Sequence, residues 1–183
     1  AVVVCHPHPM FGGNMSNNVV TAICAGLMEK GIAAFRFNFR GVGRSQGSYG
    51  HGKEEQRDAT AALEFVAVNT RVEPARLGIL GYSFGANVAF AVAVADMRVG
   101  ALALISPWLK DDEWSQLREW PEPSFLIWGG HDEFVPRDMR KVADRLGSSS
   151  SYEVVPSTDH FWWGQEGRLA ESVSAFFSGI FTG

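Results

Sequence analysis

One short segment near the middle of the chain constrains the fold more than any other. An apolar run that starts at Leu77 leads directly into Gly81-Tyr82-Ser83-Phe84-Gly85, a G-x-S-x-G motif, and small residues follow it. This order predicts a buried strand, a sharp turn with the Ser83 hydroxyl exposed, and then a helix. Glycine is expected on both sides of the turn, because a Cβ at either position would clash with the neighbouring strand or helix.

Length, charge and cysteine content narrow the class of protein. The 183 residues suit one domain, residues 1–183, and the net charge of -4 argues against nucleic acid or an anionic membrane as the main partner. No apolar stretch approaches the roughly 18–20 residues of a membrane span. Cys5 and Cys24 form no C-x-x-C pair. We therefore expect no disulfide framework, as is typical of a cytoplasmic protein.

Strand-like and helix-like segments alternate along the chain. Most of the strand-like segments are apolar on both faces, as in parallel strands that helices cover. The predicted strands are Ala1–Cys5, Ile32–Phe39, Leu77–Gly81, Gly100–Ile105, Phe125–Trp128 and Tyr152–Val155. The predicted helices run from a cap at Ser16 or Asn17 to Lys30, and over Glu54–Val68, Ala86–Ala95, Asp138–Leu146 and Arg168–Phe177. This alternation predicts an α/β fold with a doubly wound, mainly parallel sheet of about six strands.

Two segments leave alternatives open. An exposed sheet edge at Ile32–Phe39 would be a liability, which pairing with a second copy in a homodimer would remove. Residues 107–123 form a short insert that has room for a small flap. Its three tryptophans fit either packing at the surface or an aromatic wall for a substrate; they are Trp108, Trp114 and Trp120.

Polar groups follow directly after four of the predicted strands. The first strand ends in His6-Pro7-His8-Pro9, and the third ends at Ser83. The fifth is followed by His131-Asp132, and the sixth by Asp159-His160. Ligands of doubly wound sheets bind at the carboxyl ends of the strands. We therefore expect a hydroxyl, an acid and a base to meet at one edge of the sheet.

With these motifs the chain resembles the α/β-hydrolase fold superfamily, and most of all its small, capless esterase or dienelactone-hydrolase-like members. The resemblance covers nearly the whole chain and implies a spatial strand order of second-first-third-fourth-fifth-sixth. Members usually have two strands before the one that ends in the H-P-H-P segment, and those two are absent here. Because Ala1 already lies in a strand-like run, we expect that residues upstream of it are missing.

The resemblance also implies the roles of three residues, which follow one another in the Ser…Asp…His order of the fold. Ser83 would be the nucleophile, His160 the base that takes its proton, and Asp132 the acid that orients the imidazole. Asp111 and Asp112 are rival acids, since some members use that position. His51 and His131 are rival bases that lack the position after the last strand.

An oxyanion formed at this serine needs two N–H donors. The backbone N–H of Phe84, directly after the nucleophile, is expected to be one. The second should come from the loop after Cys5, where Pro7 and Pro9 have no N–H. We expect His8, because H-P-H-P is similar to the H-G-x-P segment of the family, with Met10 as the alternative.

The surroundings of these segments predict the pocket and its contents. Aromatic residues next to the catalytic segments are expected to line the substrate pocket: Phe11, Phe134, Phe161 and Trp162. His6 and His8 supply only two imidazoles, so we expect no metal. Gly41-Val42-Gly43 lacks the third glycine of a dinucleotide loop, so we expect no organic cofactor.

These features together predict a serine hydrolase that cleaves small carboxylic esters through an acyl-enzyme. A thioesterase, lactonase, amidase or peptidase would use the same three residues. A binding domain that retains the fold without catalysis is the alternative from a different class, because one fold hosts many functions.

Overall fold

The computed structural model describes residues 1–69, 73, 76–136, 138–144 and 146–182. These residues form one sheet of six strands, all parallel, in the order β2-β1-β3-β4-β5-β6. The strands are β1 (Val2–Cys5), β2 (Ala34–Arg36), β3 (Gly78–Tyr82), β4 (Ala101–Ile105), β5 (Ser124–Gly129) and β6 (Ser150–Val155). The predicted fold class and strand order are therefore confirmed.

Helices cover both faces of this sheet. They are α1 (Asn18–Glu29), α2 (Lys53–Asn69), α3 (Phe84–Ala95), α4 (Asp111–Glu119), α5 (Met139–Ala143) and α6 (Glu166–Phe181), with a 3₁₀ turn at Pro9–Phe11. One hydrophobic core holds side chains of α2, α3, α4 and α5, and the other holds side chains of α1 and α6. β3, β4 and β5 are buried along their whole length. Their continuous apolar sequence is required because helices cover both of their faces.

The predicted helix boundaries hold to within a few residues where caps or stop signals were visible. Asn17 caps α1, since its side chain accepts a hydrogen bond from the Val19 N–H at 3.0 Å, and Gly31 ends the helix with a φ of 73°. α5 is shorter than predicted. The remainder of that prediction includes Arg145, which lies outside the described residues.

The strand predicted over Ile32–Phe39 is the main correction to the fold. Its ladder with β1 covers only Ala34–Arg36. Beyond Arg36 the chain turns into the molecule, and the Phe39 N–H donates to the buried His6 ring at 3.1 Å instead of to a neighbouring strand. The exposed edge is therefore three residues long, which is one of the ways in which proteins limit edge pairing.

The insert at residues 107–123 contains α4, which packs against the core. Trp114 and Leu117 of this helix are almost fully buried, and Trp120 packs on the same cluster. Trp108, in contrast, is 59% exposed and faces the cleft described below. Trp114 and Trp120 therefore serve packing, whereas Trp108 lies where an aromatic wall for a substrate was expected. Among the described residues, no helix has the length and apolar character that crossing a bilayer would require.

Candidate active site

Ser83 lies on a strained turn between β3 and α3. Its φ of 56° and ψ of -119° are unfavourable for a residue with a side chain. The flanking glycines make the turn possible. A Cβ on Gly81 would come within 2.0 Å of the Gly85 carbonyl oxygen, and one on Gly85 within 2.3 Å of the Cys5 carbonyl oxygen. The predicted reason for both glycines is thus confirmed, and the turn leaves Ser83 at the N-terminus of α3.

The structure brings the three predicted residues into one hydrogen-bonded row. His160 Nε2 lies 3.0 Å from Ser83 Oγ, and His160 Nδ1 lies 2.9 Å from both carboxylate oxygens of Asp132. The Asp132 side chain is fully buried and that of His160 is 12% exposed. A carboxylate only accepts, so Nδ1 carries the imidazole proton and Nε2 is free to accept the serine proton. Such a row can activate a hydroxyl for attack on a carbonyl carbon.

The rival acids and bases lie elsewhere. Asp111 and Asp112 are exposed in the first turn of α4. His131 directly precedes Asp132 in the chain, but its side chain is exposed. Its backbone N–H donates to the Thr158 carbonyl at 2.9 Å. His51 lines the cleft without a hydrogen bond to Ser83. Among the described residues, only His160 hydrogen-bonds the Ser83 hydroxyl.

Tyr82, the residue before the nucleophile, was missed as a functional residue. Its hydroxyl donates to the backbone carbonyl of His160 at 2.6 Å and so fixes the loop that carries the base. Burial raises the pKa of Tyr82, and the nearby carboxylates of Asp132 and Asp159 raise it further, so the phenol remains a donor. The signal in the sequence was its position directly before Ser83 in the G-x-S-x-G motif, because that residue ends the strand below the active site.

Two backbone N–H groups near Ser83 are available for an oxyanion. The Phe84 N–H belongs to the first residue of α3 and has no partner within the helix. In the described residues no acceptor lies within hydrogen-bond distance of the His8 N–H. The Met10 N–H, in contrast, donates to the His8 ring at Nδ1, 3.2 Å away. Because the Met10 donor is already in use, the geometry favours His8 over Met10 as the second oxyanion donor.

The imidazole of His6 braces this loop from below. It is fully buried, donates from Nδ1 to the Pro7 carbonyl at 2.7 Å and accepts the Phe39 N–H at Nε2. Burial lowers the pKa of His6, so the ring is neutral. Both ring nitrogens are used in these contacts, which leaves neither for a metal ion.

Around Ser83 lies a cleft of about 1040 Å³. Its aromatic lining includes the predicted Phe11, Phe134 and Phe161, and the rings of Phe134 and Phe161 lie 4.7 and 5.8 Å from that of His160. Polar side chains that share no motif and lie far apart in sequence also line the cleft, among them Tyr49, His51, Lys53, Gln56, Asn87, Lys110 and Glu113. Asn87 hydrogen-bonds the peptide of Trp108 in both directions and holds that residue at the cleft.

Trp162 does not line the cleft, which corrects the prediction. Its side chain is fully buried in the core on the α1–α6 face, and its indole N–H donates to Ser106 Oγ at 3.1 Å. The backbone explains this orientation. Asp159 accepts the N–H groups of Phe161 and Trp162, and a φ of 61° at Trp162 turns the chain inward.

The sheet order, the elbow on β3 and the polar groups at the strand ends define an α/β hydrolase. The family model of serine aminopeptidase, S33, matches residues 1–122, and the chain belongs to this family.

Individual proteins agree with this assignment. The Rickettsia prowazekii protein RP471 is 35% identical over 169 residues, which are 87% of this chain and 71% of that protein. An α/β serine hydrolase homologue of Coxiella burnetii is 33% identical, with a TM-score of 0.85 over 95% of this chain and 83% of that one. A Xanthomonas campestris α/β serine hydrolase without a lid is 31% identical, with a TM-score of 0.85 over 100% of this chain and 82% of that one. The chain spans 62 to 71% of the length of the curated relatives it matches.

Proposed function

We propose that this protein is a serine hydrolase that cleaves carboxylic esters through an acyl-enzyme. The observation that carries the proposal is the row from Ser83 Oγ through His160 to the buried Asp132 carboxylate, with distances of 3.0 and 2.9 Å. In the first step Ser83 Oγ bonds to the ester carbonyl carbon while His160 Nε2 takes the serine proton. The carbonyl electron pair moves onto the oxygen, where the N–H groups of Phe84 and His8 would stabilise it.

The intermediate then collapses and expels the alcohol, which receives the proton from His160. Water repeats the sequence on the acyl-enzyme: His160 takes a proton from the water, and Ser83 leaves with that proton when the acid is released. Asp132 stabilises the imidazolium in both halves of the reaction. Every proton transfer in these steps passes between Ser83 and His160, whose Oγ and Nε2 atoms lie 3.0 Å apart, or between His160 and the alcohol or water.

The cleft lining favours an ester over the N-terminus of a peptide. An aminopeptidase must bind the α-ammonium group of its substrate, and an unpaired carboxylate is the natural partner for that charge. Of the described residues that line the cleft, Glu113 alone bears a carboxylate, whereas Lys53 and Lys110 contribute two ammonium groups. We therefore rank esters, thioesters and lactones above peptides as substrates.

The size of the cleft extends the predicted substrate range beyond small esters. The cleft runs along α3 from Ser83 to Ala91. The eight steps from Ser83 to Ala91 correspond to about 12 Å at 1.5 Å per residue. Val88 and Ala91 form an apolar floor there. We therefore expect a substrate with one arm longer than acetate.

Labelling with a fluorophosphonate probe tests the proposal without knowledge of the substrate. Wild type should be labelled and Ser83→Ala should not, because the probe reacts only with an activated serine. Ser115→Ala is the matched control, since Ser115 is exposed on α4 and, among the described residues, its hydroxyl bonds only to Asp111 and Arg118 of the same helix. Failure of folded wild type to react, or equal labelling of Ser83→Ala, would contradict the proposal and favour a binding domain.

A further inference from the structure

The part of the cleft that runs along α3 from Ser83 to Ala91, here called the long arm, has polar side chains along one side as well as an apolar floor. Its floor is formed by Phe84, Val88 and Ala91 of α3. The wall on the α2 side is formed by three hydrogen-bond donors, Tyr49, Lys53 and Gln56. An arm that lies here meets apolar surface below and donors at its side. This combination suits a chain that is apolar in the middle and carries acceptor oxygens at its end.

The Tyr49 hydroxyl has a proton to donate. His8 Nδ1 accepts the Met10 N–H at 3.2 Å, so the neutral His8 ring carries its proton on Nε2. Nε2 lies 3.0 Å from the Tyr49 oxygen and donates to it. Among the described residues no other hydrogen-bond partner of this hydroxyl is present, so its own proton remains for a ligand. Burial raises the pKa of Tyr49 and keeps the phenol protonated.

The loop that carries these donors is fixed before any ligand binds. The carboxylate of Glu55 is fully buried and accepts the N–H groups of Gly50 and Gly52 at 2.7 and 2.8 Å. Gly50 also leaves no room for a side chain, because a Cβ there would lie 2.4 Å from the Glu54 Cβ. The backbone of the loop that carries Tyr49 is therefore fixed, which lowers the entropic cost of binding.

The side chains that line this arm carry more positive than negative charge. Lys53 and Lys110 contribute two ammonium groups, and Glu113 contributes one carboxylate. In the described part of the chain, neither lysine has a carboxylate within 4.0 Å. The buried carboxylate of Glu55 is not part of the lining and accepts two backbone N–H groups. The lining of the arm therefore has a net positive charge.

The direction of the arm identifies which part of the ester it holds. His160 must protonate the leaving alcohol, so the alcohol lies on the side of His160, where Phe134 and Phe161 surround the imidazole. The acyl chain then extends to the other side of Ser83, along α3. We propose that this arm is an acyl subsite for a chain that ends in a carboxylate, bound by Lys53, Lys110 and the Tyr49 hydroxyl. The inference rests on the proposed esterase function.

Matched pairs of para-nitrophenyl esters test the subsite. One member of each pair is the half-ester of adipic or suberic acid, and the other is the same compound with its far carboxylate methylated. Wild type should have the higher kcat/KM for the free carboxylate. Lys53→Met and Lys110→Met should each lower that preference about 2- to 5-fold, the effect of an exposed ion pair. The double variant should lower it by about the product of the two effects. Tyr49→Phe should lower it about 2- to 10-fold, because a hydrogen bond to a carboxylate stabilises more than the same bond to an ester carbonyl.

Lys30→Met is the matched control, because Lys30 is exposed at the end of α1 and lies outside the cleft. Its preference should equal that of wild type, and high salt should reduce the preference of both. Equal rates on both members of each pair in wild type would overturn the subsite and leave the esterase intact. So would a double variant that keeps the full preference of wild type. Cleavage of neither ester, together with no fluorophosphonate labelling, would overturn the proposed function and the subsite with it.

Discussion

Ser83 Oγ and His160 Nε2 lie 3.0 Å apart, yet different features of the molecule position the two residues. Ser83 is held by its own neighbours in sequence, since Gly81 and Gly85 let β3 and α3 meet without space for a side chain. His160 is held by distant contacts. β5 and β6 pair with Gly129 opposite Val155, and a hydrogen bond from the His131 backbone N–H to the Thr158 carbonyl joins the loops that follow them. Tyr82, at the end of β3, donates to the His160 carbonyl. A local motif thus defines the nucleophile, and the sheet supplies its base.

The largest expected effect comes from removing the base. His160→Gln should lower kcat by about 10⁶-fold, the loss seen when a protease loses its nucleophile or its base. The reason is that Ser83 then has no acceptor for its proton. Burst and steady-state kinetics on a para-nitrophenyl ester would measure this change. His131→Gln, at an exposed position, should keep wild-type turnover, and a loss in that variant would count against the assignment.

Asp132→Asn separates orientation of the base from its presence. The amide can donate to His160 Nδ1, which would stabilise the tautomer that cannot accept the serine proton. We expect kcat to fall about 10⁴-fold with the fold intact. Asp138→Asn, at an exposed position directly before α5, should have no such effect. A loss below tenfold in the Asp132 variant would mean that another group orients the imidazole.

The steric requirement for glycine beside Ser83 is tested by the free energy of unfolding instead of the reaction rate. Gly81→Ala places a Cβ 2.0 Å from the Gly85 carbonyl oxygen, so we expect a loss of folded protein or of several kcal/mol in unfolding free energy. Gly179→Ala on α6 meets nothing within 4 Å. Alanine should stabilise that helix by up to about 1 kcal/mol. Urea unfolding of both proteins measures the contrast, and equal stability would refute the steric argument.

Tyr82→Phe tests the tertiary contact that fixes the base loop. Losing the donor to the His160 carbonyl should lower kcat about 2- to 10-fold with little change in KM, because the imidazole becomes less well placed. Tyr152→Phe removes a hydroxyl that bonds to Asp144 away from the cleft. If both variants showed the same small loss, the contact would be structural only.

The smallest expected effect is the pH dependence of the free energy of unfolding. Burial lowers the pKa of His6 in the folded protein below its unfolded value of about 6.5. The unfolded state then binds more protons, so the contribution of His6 to stability is complete above pH 6.5 and declines as the pH falls below it. Comparing the urea midpoint of wild type and His6→Gln from pH 7.5 to 5 measures this. The midpoint of wild type should fall more steeply, and parallel curves would contradict it.

Much of this protein could be read from its sequence because the relevant signals are local or ordered along the chain. Apolar runs of strand length, separated by helical periods, gave the six parallel strands. The two glycines around Ser83 predicted the elbow, since a tight turn excludes a Cβ. The position of Asp132 and His160 after the fifth and sixth strands predicted their meeting, because parallel strands end at one edge of the sheet.

Tertiary structure decided the rest. The strand at Ile32–Phe39 was shortened because the Phe39 N–H bonds the buried His6 ring. Trp162 was placed in the core because its backbone turns inward and Ser106 accepts its indole N–H. Tyr49, Lys53 and Lys110 line one cleft although they share no motif. Short-range steric rules determined the turn and the order of elements, whereas burial and charge partners depend on residues that approach one another only after the chain has folded.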